Sequence, residues 1–280
     1  MRCRIESILN EKVISPVSGE YFGTGIIGTA SGKKYFLKKG GSGRMFRCEA
    51  NGLKELEKTA VIKTPRVIVA EDDFILTEYI SSGSRPKNFF ETFGRQFARL
   101  HRTKSETFGF YEDNYIGLNP QPNLPTGEET RDWTAFYFNK RLLYQYRLCE
   151  KNGYVSVGMR KAFAKLENNI SGILQGSEEA PCLLHGDLWS GNFICGENGE
   201  AVLIDPAVYY GHREADLAMT KLFGGFTNDF YDAYRKEYPL PDGWQHREGI
   251  YRLYHVLNHL NLFGVSYLSE TEYILQKYTA

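Results

Sequence analysis

Residues 185–192 read His-Gly-Asp-Leu-Trp-Ser-Gly-Asn, and a strand-like segment after them leads to Leu-Ile-Asp-Pro at 203–206. Within this stretch Asp187 precedes Asn192 by five residues, and Asp205 follows Asn192 by thirteen. Phosphoryl transfer asks a protein mainly to position reactants and neutralise charge. It needs a carboxylate at the attacking hydroxyl and oxygen ligands for metal on the triphosphate. The spacing therefore predicts Asp187 as the catalytic base and Asn192 and Asp205 as metal ligands.

The same pattern, H-x-D-x-x-x-x-N followed by an aspartate at the end of a strand, resembles the catalytic loop and metal-binding aspartate of protein kinases. Gly186 stands where those enzymes usually have arginine, and Pro206 and Ala207 stand where they have Phe-Gly. These departures favour a small-molecule kinase that lacks a protein-kinase activation loop. A simple β-turn would explain His-Gly-Asp alone, but it does not explain the spacing of Asn192 and Asp205.

The N-terminal part of the chain offers a cation for the nucleotide phosphates. A predicted strand over 34–38 ends at Lys38, and Glu49 lies in a predicted helix over 45–58. In a kinase such a lysine contacts the phosphates while a helix glutamate holds it in place. We therefore predict that Lys38 and Glu49 bind ATP. Lys39 is the alternative candidate for this role. Neighbouring strand residues point to opposite faces, so only one of the two lysines can enter the cleft.

The residue pattern changes near residue 82. Before it, short apolar runs at 34–38, 66–70 and 74–80 are typical of strands, with one helical stretch between them. After it, helical spacing dominates, as in Phe93, Phe97 and Leu100. The exception is a β-rich segment with predicted strands at 182–185, 193–195 and 201–205.

This division predicts an α+β, bilobal fold of the protein-kinase-like type. Residues 1–82 would form a small, antiparallel-sheet, nucleotide-binding lobe, and residues 83–280 a larger, mainly helical lobe for catalysis and acceptor binding. A hinge is expected near 78–84, where the backbone of Glu78 and Ile80 would meet adenine.

Charge and composition exclude several classes of partner. The 280 residues carry 34 basic and 34 acidic side chains, so no overall field favours nucleic acid or an anionic membrane. No run approaches the roughly 20 apolar residues that span a bilayer, and the first ten residues lack an apolar signal core. The five cysteines form no CxxC pair. We expect a cytoplasmic monomer or weak homodimer with reduced thiols.

Longer strings of sequence resemble one family. They are HGDLWSGN at 185–192, DPAVYYGHREADLAMTKLFGGF at 205–226, DNYIGLNPQPN at 113–123, DWTAFYFNKRL at 132–142 and MFRCE at 45–49. They are similar to the fructosamine kinases, also called ketosamine-3-kinases, over about residues 14–265. This family belongs to the aminoglycoside-phosphotransferase and choline-kinase branch of the kinase-like fold. The resemblance implies ATP- and Mg²⁺-dependent phosphorylation of the sugar 3-hydroxyl on fructosamine- or ribulosamine-type glycated amines, a reaction that repairs glycated protein.

The resemblance also implies roles for individual residues. Trp189, Asn114 and Gln121 would shape the acceptor site for a small or protein-bound ketosamine. Asp216 would brace the catalytic loop by hydrogen bonds. His185, at the end of a strand, is expected to support the loop rather than to exchange protons.

Two alternatives remain open at this point. The protein could be a kinase of the same branch that acts on another amino-alcohol, such as an aminoglycoside, choline or a methylthio-sugar. It could also be a pseudokinase that keeps the fold as a binding module, although a chain released from catalysis has no chemical need for Lys38, Asp187, Asn192 and Asp205 together.

Overall fold

A computed structural model describes residues 1–14, 23–41 and 43–279. The chain divides into two compact units. The first comprises Met1–Phe89 and Asn192–Pro206, and the second comprises Phe90–Gly191 and Ala207–Ala280. The chain therefore passes between the units three times.

Helices and short strands make up both units. In chain order they are α1 (Arg2–Leu9), β1 (Gly23–Gly28), β2 (Lys34–Lys39), α2 (Met45–Glu57), β3 (Val67–Ala70), β4 (Phe74–Glu78), α3 (Phe89–Leu100), β5 (Asn114–Ile116), β6 (Asn119–Gln121), α4 (Trp133–Tyr137), α5 (Tyr144–Lys151), α6 (Val157–Leu174), β7 (Cys182–Leu184), β8 (Phe193–Cys195), β9 (Ala201–Leu203), β10 (Tyr209–Gly211), α7 (Arg213–Leu222), α8 (Asn228–Glu237), α9 (Trp244–Phe263) and α10 (Leu268–Thr279). Short 3₁₀ turns cover Gly127–Thr130 and Val265–Tyr267, and a π-helical segment, Phe138–Leu143, joins α4 to α5.

The first unit is built on an antiparallel sheet with strand order β1-β2-β4-β3. Phe74 and Leu76 of β4 pack with Ile5 of α1 in one apolar cluster. Ile75, which lies between them in the strand, packs with Leu53 of α2 in another. Alternation along the strand therefore gives the sheet two apolar faces, each covered by a helix.

The hairpin of β8 and β9 belongs to the first unit. The backbone N–H of Gly83 donates to the carbonyl of Cys195 at 2.9 Å, and the N–H of Leu203 donates to that of Lys63 at 2.9 Å. The sequence prediction instead placed all of 83–280 in the second lobe. The difference arises because these backbone bonds join segments more than 100 residues apart, which local patterns do not reveal.

Helix α9 is the centre of the second unit. It packs against α5, α7 and α10, and its side chains Ile250, Leu253, Leu257 and Leu260 are fully buried. Strand β7 pairs with β10 in an antiparallel ladder. This pairing aligns the segment that enters the catalytic loop with the segment that follows residue 206.

Several elements match the predictions from sequence and others do not. Strands β2, β3 and β4 and helix α2 lie where they were predicted, within two residues at each end. Helix α1 and strand β1 were not predicted, since α1 buries only Ile5 and the sequence of β1 has glycine at three of six positions. Among the residues described, no helix has both the length and the apolar composition needed to cross a bilayer.

The crossing of α3 and α8 can be tested by adding a single methyl group. A Cβ at Gly94 would lie 2.2 Å from the carbonyl oxygen of Phe230, which is backbone and cannot yield as a side chain would. We expect Gly94→Ala to lower the free energy of unfolding by about 1–3 kcal/mol, measured by urea denaturation.

Gly172 of α6 provides the matched control, because a Cβ there meets no atom within 4 Å. Gly172→Ala should raise the free energy of unfolding by about 0.5–1 kcal/mol, since it restricts the unfolded chain and favours the helix. Equal effects of the two substitutions would show that α3 and α8 do not approach as closely as described.

Candidate active site

A cavity of about 180 Å³ lies within the first unit. Its lining comes from β2, α2, β4, the segment after β4 and the β8–β9 hairpin; it comprises Phe36, Lys38, Glu49, Leu53, Pro65, Thr77, Glu78, Tyr79, Ile80, Ser82, Ile194, Ile204 and Asp205. The apolar members suit a flat, apolar ligand group, whereas Lys38, Glu49 and Asp205 provide charge. Four predicted nucleotide-binding residues, Lys38, Glu49, Glu78 and Ile80, thus line one cavity.

Lys38 lies between two carboxylates. Its Nζ donates to Glu49 Oε1 at 2.7 Å and is also paired with Asp205 Oδ1. Burial alone would lower the pKa of Lys38, but the charges and hydrogen bonds of these carboxylates outweigh it and raise that pKa. The lysine is therefore held as a cation. Burial raises the pKa of Glu49, although the attraction of Lys38 opposes this shift.

Asp205 has an unusual backbone conformation. Strand β9 ends at Leu203, and Asp205 lies two residues beyond it with φ at 53°, in the left-handed region that few residues other than glycine adopt. The N–H of Ile204 donates to the carbonyl of Asn192 at 3.1 Å. The two predicted metal ligands are therefore held close together by a backbone hydrogen bond beside Asp205.

The hinge residues lie where β4 ends. Glu78 pairs with the neighbouring strand segment, since its N–H donates to the Arg66 carbonyl at 2.8 Å and its carboxylate accepts from the Arg66 N–H at 3.2 Å. Ile80 is nearly buried. Sequence reasoning missed Ile194 and Ile204 as lining residues. Each is an apolar residue near a predicted metal ligand. Their place in the cavity becomes visible only from the packing of the hairpin within the first unit.

The catalytic loop of the second unit is held by a buried carboxylate. Asp216 is 1% exposed and accepts the backbone N–H of His185 at 2.7 Å and that of Gly186 at 2.8 Å. His101 Nε2 lies 3.2 Å from the same carboxylate, and its Nδ1 lies 2.7 Å from the hydroxyl of Tyr234. Burial would raise the pKa of Asp216, but these hydrogen bonds favour the ionised form and lower it.

The structure explains why residue 186 is glycine. Gly186 has φ at 82°, and a Cβ there would lie 2.0 Å from the carbonyl oxygen of Ala207. The Ala207 N–H in turn donates to the His185 carbonyl at 2.9 Å. His185 is fully buried, and its Nδ1 accepts the Asp187 N–H at 3.3 Å. An arginine at position 186 would not fit, and His185 lies where a supporting residue of the loop is expected.

Asn114 and Gln121 do not lie where a substrate could contact them. Asn114 is 4% exposed and donates to the Val208 carbonyl at 2.8 Å. Gln121 is fully buried; its amide donates to Asn114 Oδ1 at 2.7 Å and to the Ala207 carbonyl at 3.0 Å. Both side chains therefore hold the backbone at 207–208, because their amides are already bonded inside the protein. This corrects the expectation that they shape the acceptor site.

A buried arginine near this network was not predicted. Arg141 has no exposed area; its guanidinium lies 3.9 Å from the ring centre of Tyr209, and its Nη2 donates to Asn123 Oδ1 at 2.6 Å. Tyr254, 5.6 Å from the same guanidinium, donates its hydroxyl to Gln121 Oε1 at 2.6 Å. The string DWTAFYFNKRL contains Arg141, but no spacing in it indicates burial.

Trp189 is partly exposed, as a substrate-contacting residue must be. Its exposed fraction is 36%, and its ring meets that of Phe223 edge to face at a centroid distance of 5.6 Å. Gly191 gives the ring room, since a Cβ there would lie 2.3 Å from the indole. Asp187, two residues earlier, is half-buried.

The chain matches known proteins along nearly its whole length. The profile of the fructosamine kinase family covers residues 6–280. A probable ketoamine kinase of Enterococcus faecium is 38% identical in an alignment that covers 96% of each chain. A chloroplastic protein-ribulosamine 3-kinase of Arabidopsis thaliana is 39% identical over 241 residues, 84% of this chain and 72% of the relative.

Solved structures agree with these relatives. A Thermobifida fusca protein described as a fructosamine-3-kinase superimposes with a TM-score of 0.89 at 30% identity, over 99% of this chain and 97% of the other. Choline kinase LicA from Streptococcus pneumoniae gives a TM-score of 0.65 at 19% identity, over 99% and 98% of the two chains, and so shares the fold. The predicted α+β, protein-kinase-like fold is confirmed. The chain belongs to the fructosamine kinase family.

Proposed function

We propose that the protein is a ketosamine-3-kinase. It transfers the terminal phosphoryl group of ATP to the sugar 3-hydroxyl of fructosamine- or ribulosamine-type glycated amines. The observation that carries this proposal is the position of Lys38, held between Glu49 and Asp205 in the lining of a cavity, in a chain 38–39% identical to a ketoamine kinase and a ribulosamine 3-kinase.

ATP would bind in the cavity of the first unit. The apolar side chains of the lining would cover adenine, and the backbone at Glu78 and Ile80 would offer it hydrogen bonds. Lys38 would contact the phosphates as a cation, and Glu49 would fix its position. Magnesium, when bound, would neutralise part of the charge on the phosphates.

Asn192 and Asp205 fit a magnesium site by chemistry and position. Both offer the oxygen ligands that Mg²⁺ prefers, and the Ile204–Asn192 hydrogen bond holds the two segments together. Among the residues described, no three His, Cys, Asp or Glu side chains cluster as a metal site. An ion held by Asn192 and Asp205 would take its other ligands from phosphate and water.

Asp187 would act as the general base. Its carboxylate accepts the proton of the sugar 3-hydroxyl as that oxygen bonds to the terminal phosphorus and the bond from phosphorus to the ADP oxygen breaks. Trp189 would lie against the sugar and its amine, because an aromatic face suits both CH groups and a nearby cation. Asn114, Gln121, His185 and Asp216 would position the loop.

A cytoplasmic setting suits the thiols. The five cysteines form no disulfide; Cys3 is exposed, and Cys48, Cys149, Cys182 and Cys195 are buried. Burial raises the pKa of Cys149 to about 12, so this thiol is inert near neutral pH. We therefore propose that the enzyme works in a reducing compartment.

The decisive experiment is a phosphate-transfer screen with Mg-ATP. It would use ketosamines that differ in sugar length, with choline and an aminoglycoside as comparison acceptors, and NMR would locate the phosphate on the product. Phosphate on the 3-hydroxyl of a ketosamine supports the proposal. Faster transfer to choline or the aminoglycoside would favour another amino-alcohol kinase, and no transfer to any acceptor would favour a pseudokinase.

The base assignment is tested at one position. Asp187→Asn keeps the size of the side chain but removes its ability to take a proton, so turnover should fall by about 10²-fold or more. The affinity for ATP, measured by isothermal titration calorimetry, should stay near that of the wild type. Full turnover in the variant would refute the role of Asp187.

The metal assignment is tested through nucleotide binding with and without Mg²⁺. Asp205→Ala removes a ligand and should weaken the binding of Mg-ATP as well as lower turnover. Asp72→Ala is the matched control, because Asp72 is an exposed carboxylate of the same unit, paired with Arg47. If Asp205→Ala bound Mg-ATP normally, Asp205 would not be a metal ligand.

The Asp216 carboxylate predicts a pH dependence of stability. The pKa of Asp216 is lower in the folded protein than its ordinary value of 3.8. The contribution of this carboxylate to the free energy of unfolding is therefore fully present above pH 3.8 and is lost as the pH falls through the pKa of the folded state. At pH 7, Asp216→Asn should lower the free energy of unfolding by about 1–3 kcal/mol, since one of the two backbone N–H donors loses its acceptor and faces an amide NH₂ group instead.

The difference between wild type and Asp216→Asn should shrink below about pH 4, measured by urea denaturation at a series of pH values. Other carboxylates titrate in both proteins and cancel in this comparison. A difference that stays constant down to pH 2–3 would show that Asp216 is not an ionised acceptor.

A further inference from the structure

Exposed apolar side chains gather on the second unit at the C-terminal end of α9. Large apolar side chains with at least a third of their surface exposed include Leu118, Trp189, Phe223, Phe263 and Val265. We call these five residues, with the rings of His259 and Tyr267, the α9-end patch. Contiguous exposed apolar surface on a soluble protein commonly marks a binding surface.

A row of ring contacts runs through the patch from the catalytic loop. The ring of Trp189 meets that of Phe223 at a centroid distance of 5.6 Å, and Phe223 meets His259 at 5.1 Å. His259 in turn meets Phe263 at 5.4 Å and Tyr267 at 5.1 Å. The row therefore starts two residues after Asp187 and leads away from it along α9.

The turn between β5 and β6 extends the patch. Asn119 Nδ2 donates to Asn258 Oδ1 of α9 at 2.8 Å. Gly117 approaches Leu262 so closely that a Cβ would lie 2.9 Å from its methyl group. Leu118, at the tip of this turn, is 71% exposed beside the end of α9. The turn thus presents an exposed leucine beside the end of α9.

Two ion pairs and one histidine lie on the helices that carry the patch. Lys221 pairs with Glu248 at 2.5 Å, and Arg252 pairs with Glu270 at 2.7 Å. The Nδ1 of His259 donates to the His255 carbonyl at 2.6 Å, and burial lowers the pKa of His259, so the ring is neutral at pH 7. This surface therefore suits an apolar partner rather than an anionic one.

We propose that the α9-end patch binds the polypeptide next to a glycated lysine and that the enzyme prefers apolar residues there. The inference rests on the proposed function, because it assigns Trp189 to the ketosamine. The row is continuous with Trp189, so the molecule that brings its sugar to Asp187 is the one that can cover the patch. The three ring contacts from Trp189 to Phe263 together have about the length of five residues of an extended peptide, at about 3.3 Å per residue.

The test compares three ketosamine substrates that carry the same sugar. They are the free glycated lysine, a heptapeptide with leucine and phenylalanine around the glycated lysine, and a matched heptapeptide with serine and glycine there. Release of ADP gives kcat and KM for each. The wild type should show a KM about 3- to 10-fold lower for the apolar peptide than for the polar one.

Phe263→Ser is the informative variant, since its side chain is 64% exposed and contributes little to the core. It should abolish the preference between peptides while the KM values for free glycated lysine and for ATP stay within twofold of wild type. Tyr273→Ser is the matched control; Tyr273 is 67% exposed on α10, outside the patch, and its loss should leave the preference intact. Thermal melting checks the fold of both.

The outcomes separate the two proposals. If Phe263→Ser keeps the preference, if Tyr273→Ser loses it equally, or if the wild type treats both peptides alike, the inference about the patch is overturned while ketosamine phosphorylation stands. If no ketosamine is phosphorylated at all, the proposed function fails and this inference fails with it.

Discussion

The shape of the catalytic loop depends on one buried carboxylate. Burying an ionised aspartate is costly unless its oxygens are hydrogen-bonded, and Asp216 meets this requirement by taking the N–H groups of His185 and Gly186. The same bonds fix the backbone immediately before Asp187. Gly186 then lies against Ala207, so the loop and the segment after Pro206 hold each other in place. The direction of Asp187 and Trp189 follows from this support.

Local patterns in the sequence reveal the parts of the fold that local forces decide. Strand β2 and helix α2 carry clear periodicity, so Lys38 and Glu49 could be placed on neighbouring elements, and the structure brings them within 2.7 Å. Burial by distant segments leaves no such signal. The resemblance implies that Asn114 and Gln121 shape the acceptor site, yet their amides are bonded to backbone more than 80 residues away.

The candidate site shows the same limit. The spacing of Asp187, Asn192 and Asp205 could be read because a single loop and hairpin carry all three. The aromatic row could not, since Trp189 lies in a loop, Phe223 follows the end of α7 and Phe263 ends α9, and these segments meet only in the fold. Short motifs in the sequence therefore indicated a kinase, whereas the aromatic row becomes visible only when distant elements pack together.

The return of the chain to the first unit affects how the protein is made. Residues 1–89 leave the ribosome long before Asn192–Pro206, yet the cavity of the first unit needs Ile194, Ile204 and Asp205 from the later segment. Until the hairpin has been synthesised, the backbone groups of Lys63 and Gly83 lack the hydrogen-bond partners that the hairpin provides. Domains commonly fold as they emerge, but here the first unit is completed only after most of the second unit has been translated.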